Sequence, residues 1–200
     1  MIDRTGTVLG RARAKVAVSR RRFELARHPV RPGDIVLLGD SITSQGDWSR
    51  WLPGLPIRNR AIGGQTSGDV LGRLRHELDH PAKLFLMVGT NDLGDGVPVE
   101  TAAENVGRIL ATAQRHSPDT RLFVQSVLPR GLEFAPPVRH LNRRLEELAG
   151  TNQAEYIDLF PLFADEQGAI RRDYSDDALH LLPPGYVVWL NAIRPLLTTG

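Results

Sequence analysis

Three short runs, Ile35-Val36-Leu37-Leu38, Leu84-Phe85-Leu86-Met87-Val88 and Leu122-Phe123-Val124, are apolar without a break. A strand that faces water on one side alternates apolar and polar residues. An unbroken run belongs to a strand covered on both faces, which is the habit of parallel sheets. Weaker strands are expected over residues 57–62 and 155–158. The intervening segments carry helical spacing: Val70, Leu71, Leu74 and Leu78; Val99, Ala103, Val106, Leu110 and Ala113; Val138, Leu141, Leu145 and Leu148. Pro98 with Glu100 and then Pro137 mark helix starts, Gly150 marks a stop, and Pro183-Pro184 opens a last helix. This alternation predicts an α/β fold, a three-layer α/β/α sandwich on a five-stranded parallel sheet, with ligand chemistry at the carboxyl ends of the strands.

The bulk properties agree with such a fold and narrow its chemistry. At 200 residues and 22.1 kDa, with 41% hydrophobic and 24% charged residues, the chain is sized for a single packed domain over residues 1–200. It has no cysteine, so thiolate nucleophiles, disulfides and thiolate-bound metals are excluded. The first 30 residues hold no apolar run longer than Val16-Ala17-Val18, and no later stretch reaches membrane-spanning length, so a cytoplasmic location is expected. Charge is uneven: residues 1–33 carry nine Arg or Lys against Asp3 and Glu24, a net +7, which leaves −5 for the rest of a +2 chain. Leu9, Ala12, Val16, Phe23 and Ala26 have helical spacing in that segment. Residues 8–28 are therefore expected to form a basic amphipathic helix packed on or extending from the domain, its charges a solvated face. An arm for anionic polymers or membranes, centred on residues 11–27, is the functional alternative.

Small and polar residues follow the strands. Gly39-Asp40-Ser41 ends the first run, Gly63-Gly64 follows the weaker strand, and Gly89-Thr90-Asn91-Asp92 ends the second run. A serine placed there becomes a nucleophile only if a base takes its proton, usually a histidine fixed by a carboxylate. Among six histidines, His180 has Asp177 three residues before it and Asp176 four before it, and spacing alone does not choose between the two. The N–H of Ser41, the N–H of Gly64 and the amide of Asn91 are candidate donors to an oxyanion. Asp40 and Asp92 are expected to brace their loops. Trp48, Trp51, Leu93 and Leu182 are expected to pack in the core, with pocket lining the alternative.

Gly39-Asp40-Ser41-Ile42, Ile62-Gly63-Gly64, Gly89-Thr90-Asn91-Asp92 and Asp177-Ala178-Leu179-His180, in this order, resemble the four signature blocks of the SGNH or GDSL hydrolases. The likeness covers about residues 34 to 195. It is strongest to the platelet-activating-factor acetylhydrolase catalytic subunits and bacterial acetylesterases, a branch that Val127-Leu128-Pro129-Arg130 and Gly185-Tyr186 also resemble. The resemblance implies a flavodoxin-like fold and a serine esterase with Ser41 as nucleophile, His180 as base, Asp177 as its orienting acid and Ser41, Gly64 and Asn91 as oxyanion donors. It implies short acyl substrates, acetyl on a carbohydrate or lipid among them, and no cofactor. Lysophospholipase and thioesterase activities, a homo-oligomer and a non-catalytic carbohydrate binder stay open, and no nucleic-acid partner is expected.

One rival motif is present. His76-Glu77-Leu78-Asp79-His80 matches the H-E-x-x-H zinc pattern, with Glu100 downstream as a third ligand. On a helix whose apolar face is Val70, Leu71, Leu74 and Leu78, both histidines face solvent, and Pro81 disfavours helix at His80. No metal site is therefore expected. Thr43 stands where the Gly-x-Ser-x-Gly elbow of α/β-hydrolases needs its second glycine. Residues 63–68 lack the lysine of a phosphate-binding loop.

Overall fold

A computed structural model describes the backbone of residues 8–198 and the side chains of residues 15–198. In chain order the elements are α1 (Val8–Arg27), β1 (Ile35–Gly39), α2 (Ser41–Ser44), α3 (Trp48–Trp51), β2 (Ile57–Asn59), α4 (Ser67–Arg73), β3 (Lys83–Met87) and α5 (Thr90–Gly94). Then follow α6 (Val99–His116), β4 (Arg121–Gln125), α7 (Ala135–Thr151), β5 (Glu155–Ile157), α8 (Phe160–Phe163) and α9 (Pro183–Thr198). All five strands are parallel, in the order β2-β1-β3-β4-β5. This is the doubly wound α/β architecture expected from the sequence, and its strand order reverses between β1 and β3, where such sheets open a crevice.

The unbroken apolar runs divide between two cores by the period of two that a strand imposes. Val36, Leu38, Leu84, Leu86, Leu122 and Val124 pack on one face with Val70 of α4, Val106 and Leu110 of α6, and Leu141 and Leu145 of α7. Ile35, Leu37, Phe85, Met87 and Phe123 pack on the other with Trp48, Phe163 and α9 residues Tyr186, Trp189 and Ile193. Phe85 and Phe123 stack across neighbouring strands at 4.3 Å. Among the described residues no helix is long and apolar enough to cross a membrane.

Two local expectations are corrected, the length of the weak strands and the helix through Leu78. The weak strands are shorter than expected, ending at Asn59 and Ile157. The stop expected at Gly150 falls within one residue of the end of α7 at Thr151. The helix expected through Leu78 ends at Arg73 and tightens into a 3-10 turn over Leu74–Glu77, and His80 has φ 47°. Along α1, expected to pack on or extend from the domain, Val16 and Phe23 are 69% and 65% exposed, whereas Leu25 is buried. Leu9 and Ala12 lie outside the described side chains. Besides Leu25, polar contacts join α1 to the body. Arg21 donates to the carbonyls of Asn59 and Ala61 along the open edge of β2, and Arg60 donates to the carbonyls of Leu25 and His28 at the helix end.

Glu77 shows why the 3-10 turn forms. Its carboxylate is buried between two guanidiniums, pairing with Arg60 and, at 2.7 Å, with Arg73, which also donates to Gln65 Oε1 at 2.7 Å. Removing one member of a buried ion cluster strands the others. Glu77→Ala is expected to lower stability by about 3–5 kcal/mol, measured as a shift in the urea midpoint without a change in slope; an unshifted midpoint would show that the cluster is dispensable.

Candidate active site

Ser41 begins α2 directly after β1. Gly39 must be glycine because an added Cβ would lie 2.3 Å from the Met87 carbonyl oxygen of the neighbouring strand. Asp40 caps α2 by accepting from the Ile42 N–H at 3.0 Å. Three side chains from other elements then take the carbonyls of this four-residue helix. Trp48 Nε1 donates to Thr43 O at 2.7 Å, Tyr186 Oη donates to Ile42 O at 2.8 Å, and Asn59 Nδ2 donates to Thr43 and Ser44. A helix too short to be stable alone is thereby fixed, with Ser41 on it.

Ser41 Oγ lies 3.0 Å from His180 Nε2, and His180 Nδ1 lies 2.7 Å from Asp177 Oδ2. The other oxygen, Asp177 Oδ1, accepts the N–H groups of His180 at 2.7 Å and Leu179 at 3.0 Å. Ala178 adopts φ 59° to close this turn. Partial burial on its own raises the Asp177 pKa, but the His180 side chain and the backbone N–H groups outweigh it and hold the carboxyl at about 2. Asp177 is thus ionised across the neutral range and faces the ring, while Asp176 is exposed and does not bond to it.

Gly64, at φ 77°, and Asn91, on α5 after β3, complete the same cleft of about 440 Å³, lined also by Arg130, Glu133, Phe134 and Leu179. All five sequence-predicted site residues therefore meet. Asn91 Nδ2 donates to Gln65 O at 2.9 Å, which fixes the amide. Asp92 accepts from Ser67 N at 2.9 Å and Ser67 Oγ at 2.5 Å, tying the Gly64 loop to the Asn91 helix, a bracing role as expected. Burial, set against the Ile42 N–H bond and reinforced by nearby Asp92, pushes the Asp40 carboxyl up to about 7. Burial likewise raises Asp92, against its bonds to Ser67.

The cleft also contains residues not foreseen. Arg130 is buried, donates to Thr90 O at 2.7 Å on the helix that carries Asn91, and stacks 3.8 Å over the Phe134 ring. The strand-end rule, applied to β4 as it was to β1 and β3, points to this segment. Trp48, Trp51, Leu93 and Leu182 are absent from the lining, and Trp48 and Leu93 are core residues. His76 and His80 are exposed and share no helix, Glu77 is held by its two arginines, and Glu100 pairs with Arg144 and His140 on the surface. Among the described residues no group of three or more His, Asp or Glu is arranged to hold a metal ion.

The family model for the GDSL-like lipase/acylhydrolase family matches residues 37–188. The chain belongs to this family. It is 34% identical to the platelet-activating factor acetylhydrolase IB subunit alpha1 of Bos taurus, over 82% of this chain and 75% of the relative. Among solved structures it is similar to a Streptococcus pneumonia protein described as a platelet activating factor, with a TM-score of 0.85 and 26% identity over 94% of this chain and 96% of the other. The acetylxylan esterase of Geobacillus stearothermophilus shares the fold, with a TM-score of 0.67 at 16% identity over 86% of this chain and 97% of the other. As a member of this family the chain is an ester hydrolase of the GDSL class.

Proposed function

We propose that the chain hydrolyses short-acyl carboxylic esters through an acyl-enzyme on Ser41. The observation that carries this reading is the continuous relay Ser41 Oγ, His180, Asp177, with steps of 3.0 and 2.7 Å, opening on a cleft lined by Gly64 and Asn91. Ser41 Oγ attacks the ester carbonyl carbon as His180 Nε2 takes its proton, and the carbonyl oxygen becomes an oxyanion. Asp177 holds the ring with Nδ1 protonated and balances the imidazolium charge. The N–H groups of Ser41 and Gly64 and the Asn91 amide face the oxyanion. A carboxamide has two N–H donors, so the one given to Gln65 leaves a second for substrate. Collapse of the intermediate expels the alcohol, protonated by His180. Water, deprotonated by the same ring, then releases the acid.

The short-acyl preference is supported by the cleft and by the relatives. Its wall places the charged side chains of Arg130 and Glu133 beside Phe134 and Leu179, which interrupts the apolar surface a long chain would need. The bovine relative is named as an acetylhydrolase and the Geobacillus structure as an acetylxylan esterase. A series of p-nitrophenyl esters from acetate to palmitate tests this reading. The expected kcat/KM is highest for the two- or three-carbon acyl group and falls about tenfold or more by octanoate. A maximum at long chains would favour a lysophospholipase or thioesterase of the same mechanism instead.

A further inference from the structure

The outward face of α1 carries two large apolar side chains that no other described residue covers. At about 100° per residue, positions seven apart return to nearly the same line. Val16 and Phe23 are such a pair, and they are exposed by 69% and 65%. Arg27 and Arg20, the latter paired with Glu24 at 3.2 Å, border this line on one side, Lys15 and Arg22 lie about a quarter turn away on the other, and all four cations are exposed. Arg27 lies 5.9 Å over the Phe23 ring. The opposite face meets the body through Leu25 and through Arg21, whose guanidinium is spent on the edge of β2. Residues 15–27 sum to +4, from Lys15, Arg20, Arg21, Arg22 and Arg27 against Glu24.

An apolar line bordered on both sides by cations matches a surface that is anionic at its skin and apolar just beneath. We propose that this face of α1 docks the protein on anionic phospholipid membranes, with Val16 and Phe23 entering the acyl boundary and the flanking arginines and Lys15 held at the headgroup phosphates. A second copy of the helix fits poorly, because its own cationic flanks would meet these. A nucleic-acid duplex would engage the cations and leave Val16 and Phe23 without an apolar partner. Charge complementarity combined with the apolar centre thus selects a lipid surface. The proposal rests on α1 alone and stands or falls separately from the chemistry assigned to Ser41.

The test is co-sedimentation of the full chain with vesicles of equal parts phosphatidylglycerol and phosphatidylcholine, against pure phosphatidylcholine. Binding is expected only to the anionic vesicles, and it should weaken as salt rises. Val16→Ser with Phe23→Ser should weaken it about tenfold or more at unchanged charge. Arg20→Gln with Arg27→Gln should also weaken it about tenfold or more. Both variants should keep the circular dichroism of the parent. The proposal is overturned if the parent ignores anionic vesicles, if it binds zwitterionic ones equally, or if the Val16/Phe23 variant binds as the parent does. Tighter association with a DNA duplex, undiminished in that variant, would assign the face to nucleic acid and overturn it as well.

Discussion

Ser41→Ala and His180→Ala are each expected to lower kcat on p-nitrophenyl acetate by about a millionfold, and the double variant is expected to be no slower than either single one. The size and the non-additivity have one origin. With Oγ and Nε2 3.0 Å apart, nucleophile and base act as a unit, so losing either leaves only binding and the oxyanion donors at work. Ser41 is only 4% exposed and its Oγ is a small group, so the folded state should persist in the alanine variant, with an unchanged circular dichroism spectrum. Additive losses, or turnover retained in either variant, would place the chemistry on other groups.

The second large effect separates two neighbouring carboxylates. Asp177→Asn is expected to lower kcat about ten-thousandfold, because an amide N–H facing Nδ1 forces the ring into the tautomer that cannot accept from Ser41. Its oxygen can still take the N–H groups of Leu179 and His180, so the turn should survive. Asp176→Asn should leave kcat and KM unchanged, since that side chain is exposed and does not bond to the ring. The reverse pattern in steady-state kinetics would make Asp176 the partner.

Much of this was legible in the sequence because the signals were local. The unbroken runs at Ile35, Leu84 and Leu122 report burial on both faces, and the polar residues that follow report strand ends. Those two facts bring Ser41 and Asn91 to adjacent strands β1 and β3. The spacing of Asp177 and His180 left Asp176 open, and only the φ of 59° at Ala178 shows which carboxylate the turn directs at the ring. The illegible features depend on partners far along the chain. Glu77 reads as part of a zinc motif until Arg60 and Arg73 are seen around it. Arg130 stands in a segment noted only for its family likeness, and its bond to Thr90, 40 residues away, is what places it against the helix of Asn91. Val16 and Phe23 read as a packing stripe, yet α1 is fastened through Arg21, Leu25 and the guanidinium of Arg60 instead. Helical periodicity identifies an apolar line but not what covers it.

The central claim is that Ser41 becomes acylated, and covalent trapping examines it most directly. The chain is treated with a fluorophosphonate, which reacts with a serine activated by a base, and the modified peptide is located by mass spectrometry. A single adduct on Ser41, formed in the parent and in Asp176→Asn but absent in Ser41→Ala and His180→Ala, is the predicted result. An adduct on any other residue, or a parent chain that hydrolyses p-nitrophenyl acetate yet is never labelled at Ser41, would contradict it.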